Sequence, residues 1–338
     1  VESAKSAFEF TDDLMKAMCW PMKEAKALPA DIEIIRLGTA WSFEDGAEAL
    51  TIASKPGRIP DLQAAFAEVQ LKQALPATLA GTFAGKSTFV GQSLFGRVGR
   101  ASTKALYKRQ HAPGQVALTP DLDAALKALS YILDNCPPRV LHLGGEGAVT
   151  LMYGDAFFRF GDVIHTAKTW AELADWNAAE APLSENGIGF VFFGPWRQTP
   201  LYFHSTVPAA VLFKFAQHRQ YIFLLEAVVQ CLAVWMLGPE MGRDALLFCD
   251  NSAAQHALVR GYSSDNSCNA LAAFFWAGAA TNGCSPWIER VASIDNVSDA
   301  VSRGDFSTAV RLGWRRIEAD LAPLWELLGE YVSPPLII

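Results

Sequence analysis

Apolar and polar positions change period several times along the chain, and each change marks an expected element. Residues 1 to 18 carry Ala7, Phe8, Phe10, Leu14, Met15 and Met18 at roughly helical spacing, and Pro21 ends the run. The β-rich runs Ile32 to Leu37 and Ala49 to Ala53 flank Ser42-Phe43-Glu44-Asp45-Gly46, whose Asp-Gly favours a turn, so a hairpin is predicted. From Pro60 to Arg109 the pattern is helical, with breaks near Pro76 and at Gly96 and Gly99. A further helix is expected over Asp121 to Leu133, closed by Pro137-Pro138. Strand-like runs follow at Ala148 to Phe157, Ile188 to Phe193 and Leu201 to His204, then a helix over Tyr221 to Leu237 stopped by Gly238-Pro239. A second alternation gives strand Ala245 to Cys249, helices Ser252 to Val259 and Asn269 to Ala280, strand Trp287 to Val291, and helices from Asp299 onward. The order β-β-β-α-β-α-β-α is mixed α/β.

Composition narrows this picture. With 51% hydrophobic and 19% charged residues, 338 residues suffice for two or three packed domains. A net charge of -7 argues against a protein that coats nucleic acid electrostatically, so any such contact needs a local basic patch. The cysteines Cys19, Cys136, Cys231, Cys249, Cys268 and Cys284 have no C-x-x-C spacing and sit in apolar runs, which indicates an intracellular, reducing compartment and no structural zinc. The apolar window Tyr221 to Leu237 contains Glu226 and Gln230, which a bilayer centre would penalise, so a buried helix rather than a membrane span is expected. The first residues form neither a signal nor a transit peptide, and the chain is expected to begin inside a longer precursor.

Four acids interrupt or end apolar runs: Asp155 in the first strand of the second half, Glu226 in the long helix, Asp250 ending the fourth strand and Asp299 opening a late helix. Burying a carboxylate among Met152, Tyr153 and Phe157, or among Leu224, Leu225 and Val228, is unfavourable unless the charge is paired or binds a cation, and no matching set of Lys or Arg flanks them. Mg²⁺ takes oxygen ligands, and a pair of ions about 4 Å apart can hold both the attacking water and the leaving oxygen of a phosphodiester. The alternative makes Asp250 and Asp299 helix N-caps and gives Glu226 an arginine partner. Four carboxylates in one pocket would carry the metal assignment; finding them scattered, or one of them tied to an arginine, would count against it.

Leu246 to Ala254, with Asp250 inside it, resembles the fourth-strand motif of retroelement ribonucleases H. Asn296-Val297-Ser298-Asp299-Ala300-Val301-Ser302-Arg303 resembles their terminal N-x-x-D-x-x-S-R motif. Leu224-Leu225-Glu226-Ala227 is similar to their Glu-bearing helix, and Tyr153-Gly154-Asp155-Ala156 to their first Asp strand. Upstream, Ala84 to Arg100 resembles the thumb of retroelement reverse transcriptases, while Arg36-Leu37-Gly38 and Ile52-Ala53-Ser54-Lys55 are similar to the end of the palm.

The resemblance implies a ribonuclease H-like mixed five-stranded sheet with flanking helices, preceded by a mainly helical thumb and connection-like region. It divides the chain into a palm remnant (1–58), the thumb and connection-like region (59–138), the ribonuclease H-like domain (139–304) and a helical extension (305–338). It implies two Mg²⁺ ions, or Mn²⁺, on Asp155, Glu226, Asp250 and Asp299, and an RNA/DNA hybrid as substrate. Lys86, Arg97, Arg100, Lys104, Lys108 and Arg109, with no acid among them, form the expected nucleic-acid-binding patch. No Y-x-D-D-type pair is present, Asp12-Asp13 reads as a solvated helix face, and polymerase activity is not expected. Two departures bear on catalysis: an acidic insert over Phe158 to Asn186 (Asp162, Glu172, Asp175, Glu180, Glu185), and no histidine between Gly261 and Asp299. With the apolar tail Val332 to Ile338, they motivate a second reading, a domesticated non-catalytic scaffold subunit bound to other proteins.

Overall fold

The computed structural model describes residues 33–43, 49–142, 149–160, 163–164, 184–215, 222–242 and 244–331, with positions 6, 9, 10, 13, 14, 17 and 18. Positions 6, 9, 10, 13, 14 and 17 are helical, as the first run predicts; the rest of residues 1–32, most of the acidic insert and the tail 332–338 lie outside the described residues.

A four-stranded antiparallel sheet comes first, in the order β1 (Glu33–Arg36), β2 (Thr39–Phe43), β3 (Ala49–Ser54) and β4 (Arg139–His142). The predicted hairpin is therefore corrected: the Ile32 and Ala49 runs do not pair with each other, because each pairs with β2 between them. The turn that sequence reading missed is Leu37-Gly38, both at positive φ (50° and 86°), which closes the two-residue connection that twisted hairpin strands favour. The boundary at 138 falls one residue before β4, whose Val140 and Leu141 pair with Thr51 and Leu50.

Four helices follow: α1 (Arg58–Lys72), α2 (Ala77–Gly91), α3 (Arg100–Gln110) and α4 (Pro120–Asn135). α4 shows why they assemble: Leu122, Ala125, Leu126, Leu129 and Leu133 recur at three- and four-residue spacing and are buried, while Pro120 starts the helix where its missing N–H is no loss. They pack with Phe66, Phe83 and Leu106 into one hydrophobic core.

The second half is built on a mixed sheet in the order β10 (Ser285–Arg290), β9 (Asp244–Cys249), β5 (Thr150–Phe160), β7 (Ser184–Phe193), β8 (Leu201–Ser205) and β11 (Arg315–Arg316), with β6 (Val163–Ile164) added to β5. β5 is antiparallel to β7 and parallel to β9, and β9 is parallel to β10. This mixed α/β arrangement with flanking helices is consistent with a ribonuclease H-like fold, but the sheet has seven strands rather than five because the two-residue β6 and β11 extend it.

Helices α5 (Ala209–Lys214), α6 (Ile222–Met241), α7 (Ser252–Arg260), α8 (Asn266–Thr281), α9 (Asp299–Ser302), α10 (Ser307–Arg311) and α11 (Ala322–Tyr331) complete the fold. α6 is apolar all round and correspondingly buried, lying in a larger core with Met152, Phe190 and Leu247. It is long and apolar enough to cross a membrane, and 72% of that window is buried inside the protein. It does not stop at Gly238-Pro239 as predicted but runs to Met241; in the last turn a proline forfeits only one helical hydrogen bond.

Candidate metal centre

Three of the four predicted acids meet. Asp155, Glu226 and Asp250 each bring a carboxylate oxygen within 4.8 Å of the others, which is the spacing a shared cation needs. The sheet produces this convergence. The β5–β9 pairing ends at Gly154–Cys249, so beyond it the edge of β5 is unpaired and Asp250 leaves the strand beside Asp155. The freed Ala156 N–H donates to Glu226 Oε1 at 3.1 Å, which draws the carboxylate of α6 into the gap.

Asp155 and Glu226 are each only 2% exposed. Asp155 Oδ1 accepts from Asn296 Nδ2 at 3.2 Å, and Oδ2 accepts a short hydrogen bond from Ser302 Oγ. Asn296 also donates to the Gly154 carbonyl and accepts from Ser298 Oγ at 2.7 Å, fixing its own rotamer. Burial, reinforced by Asp250 and Asp299 and opposed by the Ser302 hydrogen bond and Arg303, raises the Asp155 pKa to about 7. Burial and the neighbouring Asp155 and Asp250 charges hold Glu226 well above the usual carboxylate range. Asp250 is half-buried and accepts from Ser293 Oγ at 2.8 Å.

Asp299 is placed differently. Arg303, one turn on, donates to it from Nε at 3.2 Å and Nη2 at 2.9 Å, and the two side chains remain 48% and 43% exposed. The four-acid constellation is thereby corrected to a triad with Asp299 at its margin: near enough to raise the Asp155 pKa, yet claimed by an arginine. The N-cap alternative also fails. Asn251 caps α7 through Oδ1 to the Ala253 and Ala254 N–H groups, and Asp299 is the first residue inside α9 after Ser298.

α9 reaches Asp155 because β7 has glycines beneath it. A Cβ at Gly189 would lie 2.7 Å from the Ser302 nitrogen, and one at Gly187 would lie 2.0 Å from its carbonyl oxygen. Asn296, Ser302 and the two glycines were not singled out as site residues, although Asn296 and Ser302 stand in the N-x-x-D-x-x-S-R run.

The expected basic patch divides. Arg109 is buried at 4% and donates to the Leu75 and Ala117 carbonyls, so it belongs to the helical core and not to a surface. Arg100 Nη1 donates to the Arg260 carbonyl and Lys104 Nζ to that of Ser264, tying α3 to the second half of the chain. Lys86 and Lys108 are exposed, and Arg97 is half-buried.

Oxygen-only donors brought together without a bound side-chain cation, two of them buried and raised in proton affinity (Asp155 and Glu226), fit a hard divalent ion rather than zinc. No protein-family model matches the chain, and no curated protein matches it. Among solved structures it is similar to the foamy viral protease-reverse transcriptase in complex with an RNA/DNA hybrid, at TM-score 0.33 and 9% identity over 86% of this chain and 34% of that one. It is also similar to the same viral protein in complex with dsDNA, at TM-score 0.29 and 8% identity over 78% of this chain and 46% of the other. The chain thus spans less than half the length of these viral chains.

Proposed function

We propose that the chain is a ribonuclease H-like endonuclease that cuts the RNA strand of RNA/DNA hybrids without polymerase activity, its metal centre being Asp155, Glu226 and Asp250. The observation that carries this reading is the triad itself: two buried carboxylates and a half-buried third within 4.8 Å. Such a cluster is strongly unfavourable without a cation. Mg²⁺ or Mn²⁺ bound there would supply charge neutralisation at a phosphate and an activated water. The protein's own part is orientation. Asn296 and Ser302 hold both Asp155 oxygens, the Ala156 N–H holds Glu226, and Ser293 holds Asp250.

The Asp299–Arg303 pair is the arginine tie that counts against the four-acid site and favours the second reading, a non-catalytic scaffold subunit, so the nuclease reading rests on the remaining three acids alone. An exposed ion pair contributes about 1 kcal/mol or less, however, so a divalent charge next to Asp155 readily outcompetes it for Asp299. Incubating the protein with a labelled RNA/DNA hybrid and Mg²⁺, beside Asp250→Asn, decides between the two. Cutting by the wild type alone is expected; equal cutting by both proteins, or by neither, sinks the enzyme reading.

A further inference from the structure

The strand register sets Asp155 on β5 opposite Gly189 on β7, and Gly189 opposite His204 on β8. Residues directly opposed in antiparallel strands point to the same face, so these three form one row across the sheet. Their face is turned away from the larger core, which takes the adjacent Phe190 and Phe203 instead. α9 covers the row from outside: its Val301 packs with Val191 and Tyr202, which share that face.

The middle of the row carries no side chain, and Ser302 takes the vacated space. A Cβ at Gly189 would lie 2.7 Å from the Ser302 nitrogen and 3.0 Å from its Cα. Ser302 is thereby flanked by Asp155 on one side and His204 on the other. Its hydroxyl donates to Asp155 Oδ2, and its backbone carbonyl accepts from the His204 imidazole. His204 is half-buried: Phe306 meets its ring edge to face with centroids 5.4 Å apart, and Nε2 lies 3.8 Å from where a Cβ on Gly304 would stand. Burial, aided by the Arg316 charge and opposed by the Ser302 hydrogen bond, lowers the His204 pKa, so the ring is neutral at pH 7 with a single N–H to give.

We propose that His204 is a positioning residue for the metal centre: it pins the Ser302 backbone over Gly189, so that the Ser302 hydroxyl holds Asp155 in the orientation that binds the ion. The inference rests on the metal-centre reading of the triad. α9 has only four residues, too few to hold a helix by themselves, so the place of Ser302 is set by what that turn leans on. Asn296 steadies the entry to α9, through its own hydrogen bonds to Gly154 and Asp155, and His204 steadies the exit. His204 reaches the ion in two steps, through Ser302 and then Asp155, so its loss weakens metal binding without abolishing it. A packing role alone would need only the volume of the ring; the positioning role needs its N–H.

Calorimetric titration of Mg²⁺ into the whole chain tests it with two variants, each shown to be folded by circular dichroism. His204→Phe keeps a flat ring without a donor, and His204→Gln keeps an N–H without the ring. The first should weaken Mg²⁺ about fivefold, as the loss of one hydrogen bond implies, and the second should stay within about twofold of wild type. Should His204→Phe not fold, His204→Leu removes the donor with a smaller side chain and carries the same expectation. In a Ser302→Ala background, where no hydroxyl reaches Asp155, His204→Phe should add no further loss. Unchanged affinity in the donor-free variant, a glutamine variant as weak as the phenylalanine one, or additive losses in the Ser302→Ala background each overturn the positioning role while leaving the metal-centre reading standing. A wild type that binds no Mg²⁺ sinks that reading, and this inference with it.

Discussion

Asp155→Asn should make the metal-free protein more stable at alkaline pH while removing its response to Mg²⁺. Asp155 titrates near 7 in the fold against an ordinary value of 3.8, and each tenfold change in proton affinity is worth about 1.4 kcal/mol, so the native state carries about 4 kcal/mol of strain once the group ionises. The sign follows from proton counts. Between about pH 4 and pH 7 the unfolded chain has released a proton that the native state keeps, so stability falls as pH rises and the loss is complete above pH 7. Glu226, also raised, acts in the same direction. Asparagine removes the charge and keeps the contacts: its oxygen accepts from Asn296 and its amide donates to Ser302, whose hydroxyl proton turns from residue 155 to the Asp299 carbonyl, 2.9 Å from Ser302 Oγ. Urea denaturation at pH 5 and pH 8, in EDTA and in Mg²⁺, reads all of this. Wild type should be weaker at pH 8 in EDTA and recover with Mg²⁺, whereas the variant should show a flatter pH profile and no recovery. A wild type equally stable at both pH values in EDTA, or a variant less stable than wild type at pH 8, would refute the strained-carboxylate account.

Other substitutions separate the roles of neighbouring residues. Arg303→Ala should change stability by less than about 1 kcal/mol, because the pair it breaks is exposed, and should leave Mg²⁺ affinity equal or tighter by freeing Asp299; calorimetric weakening of Mg²⁺ would contradict this. Arg109→Met should destabilise by about 2–4 kcal/mol in chemical denaturation, since the buried Leu75 and Ala117 carbonyls lose their donor, yet leave hybrid binding unchanged. Gly189→Ala should push α9 off β7 and weaken Mg²⁺ binding by disturbing Ser302 and Asn296, an effect checked by titration on protein shown to be folded by circular dichroism.

Much of the second half was legible because its periods are clean. β5, β7, β9 and α6 begin or end within a few residues of the predicted runs, and strands buried on one face alternate as they should. The first sheet was harder. β2 follows a turn closed by a leucine at positive φ, which no turn statistic anticipates, and β4 emerges directly from Pro137-Pro138, which reads as a stop. In the site, the three acids of the triad were visible as charges inside or at the end of apolar runs. The fate of Asp299 was also written in the chain, as an acid with an arginine four residues on, but helical ion pairing and a motif match look alike at that spacing. Arg109 failed for a different reason: a sequence shows that a residue is basic, and only the packed helices show that it faces inward.

Glu226 shares one helix with the middle of the larger core, where residues 224 to 234 are all shielded from solvent. The packed interior and the acidic pocket are therefore a single mechanical unit, and neither can drift without the other. Whatever slackens that helix, whether heat or a trimmed leucine, lets the carboxylate swing away from its partners. Ion affinity then becomes a gauge of how well the interior is assembled.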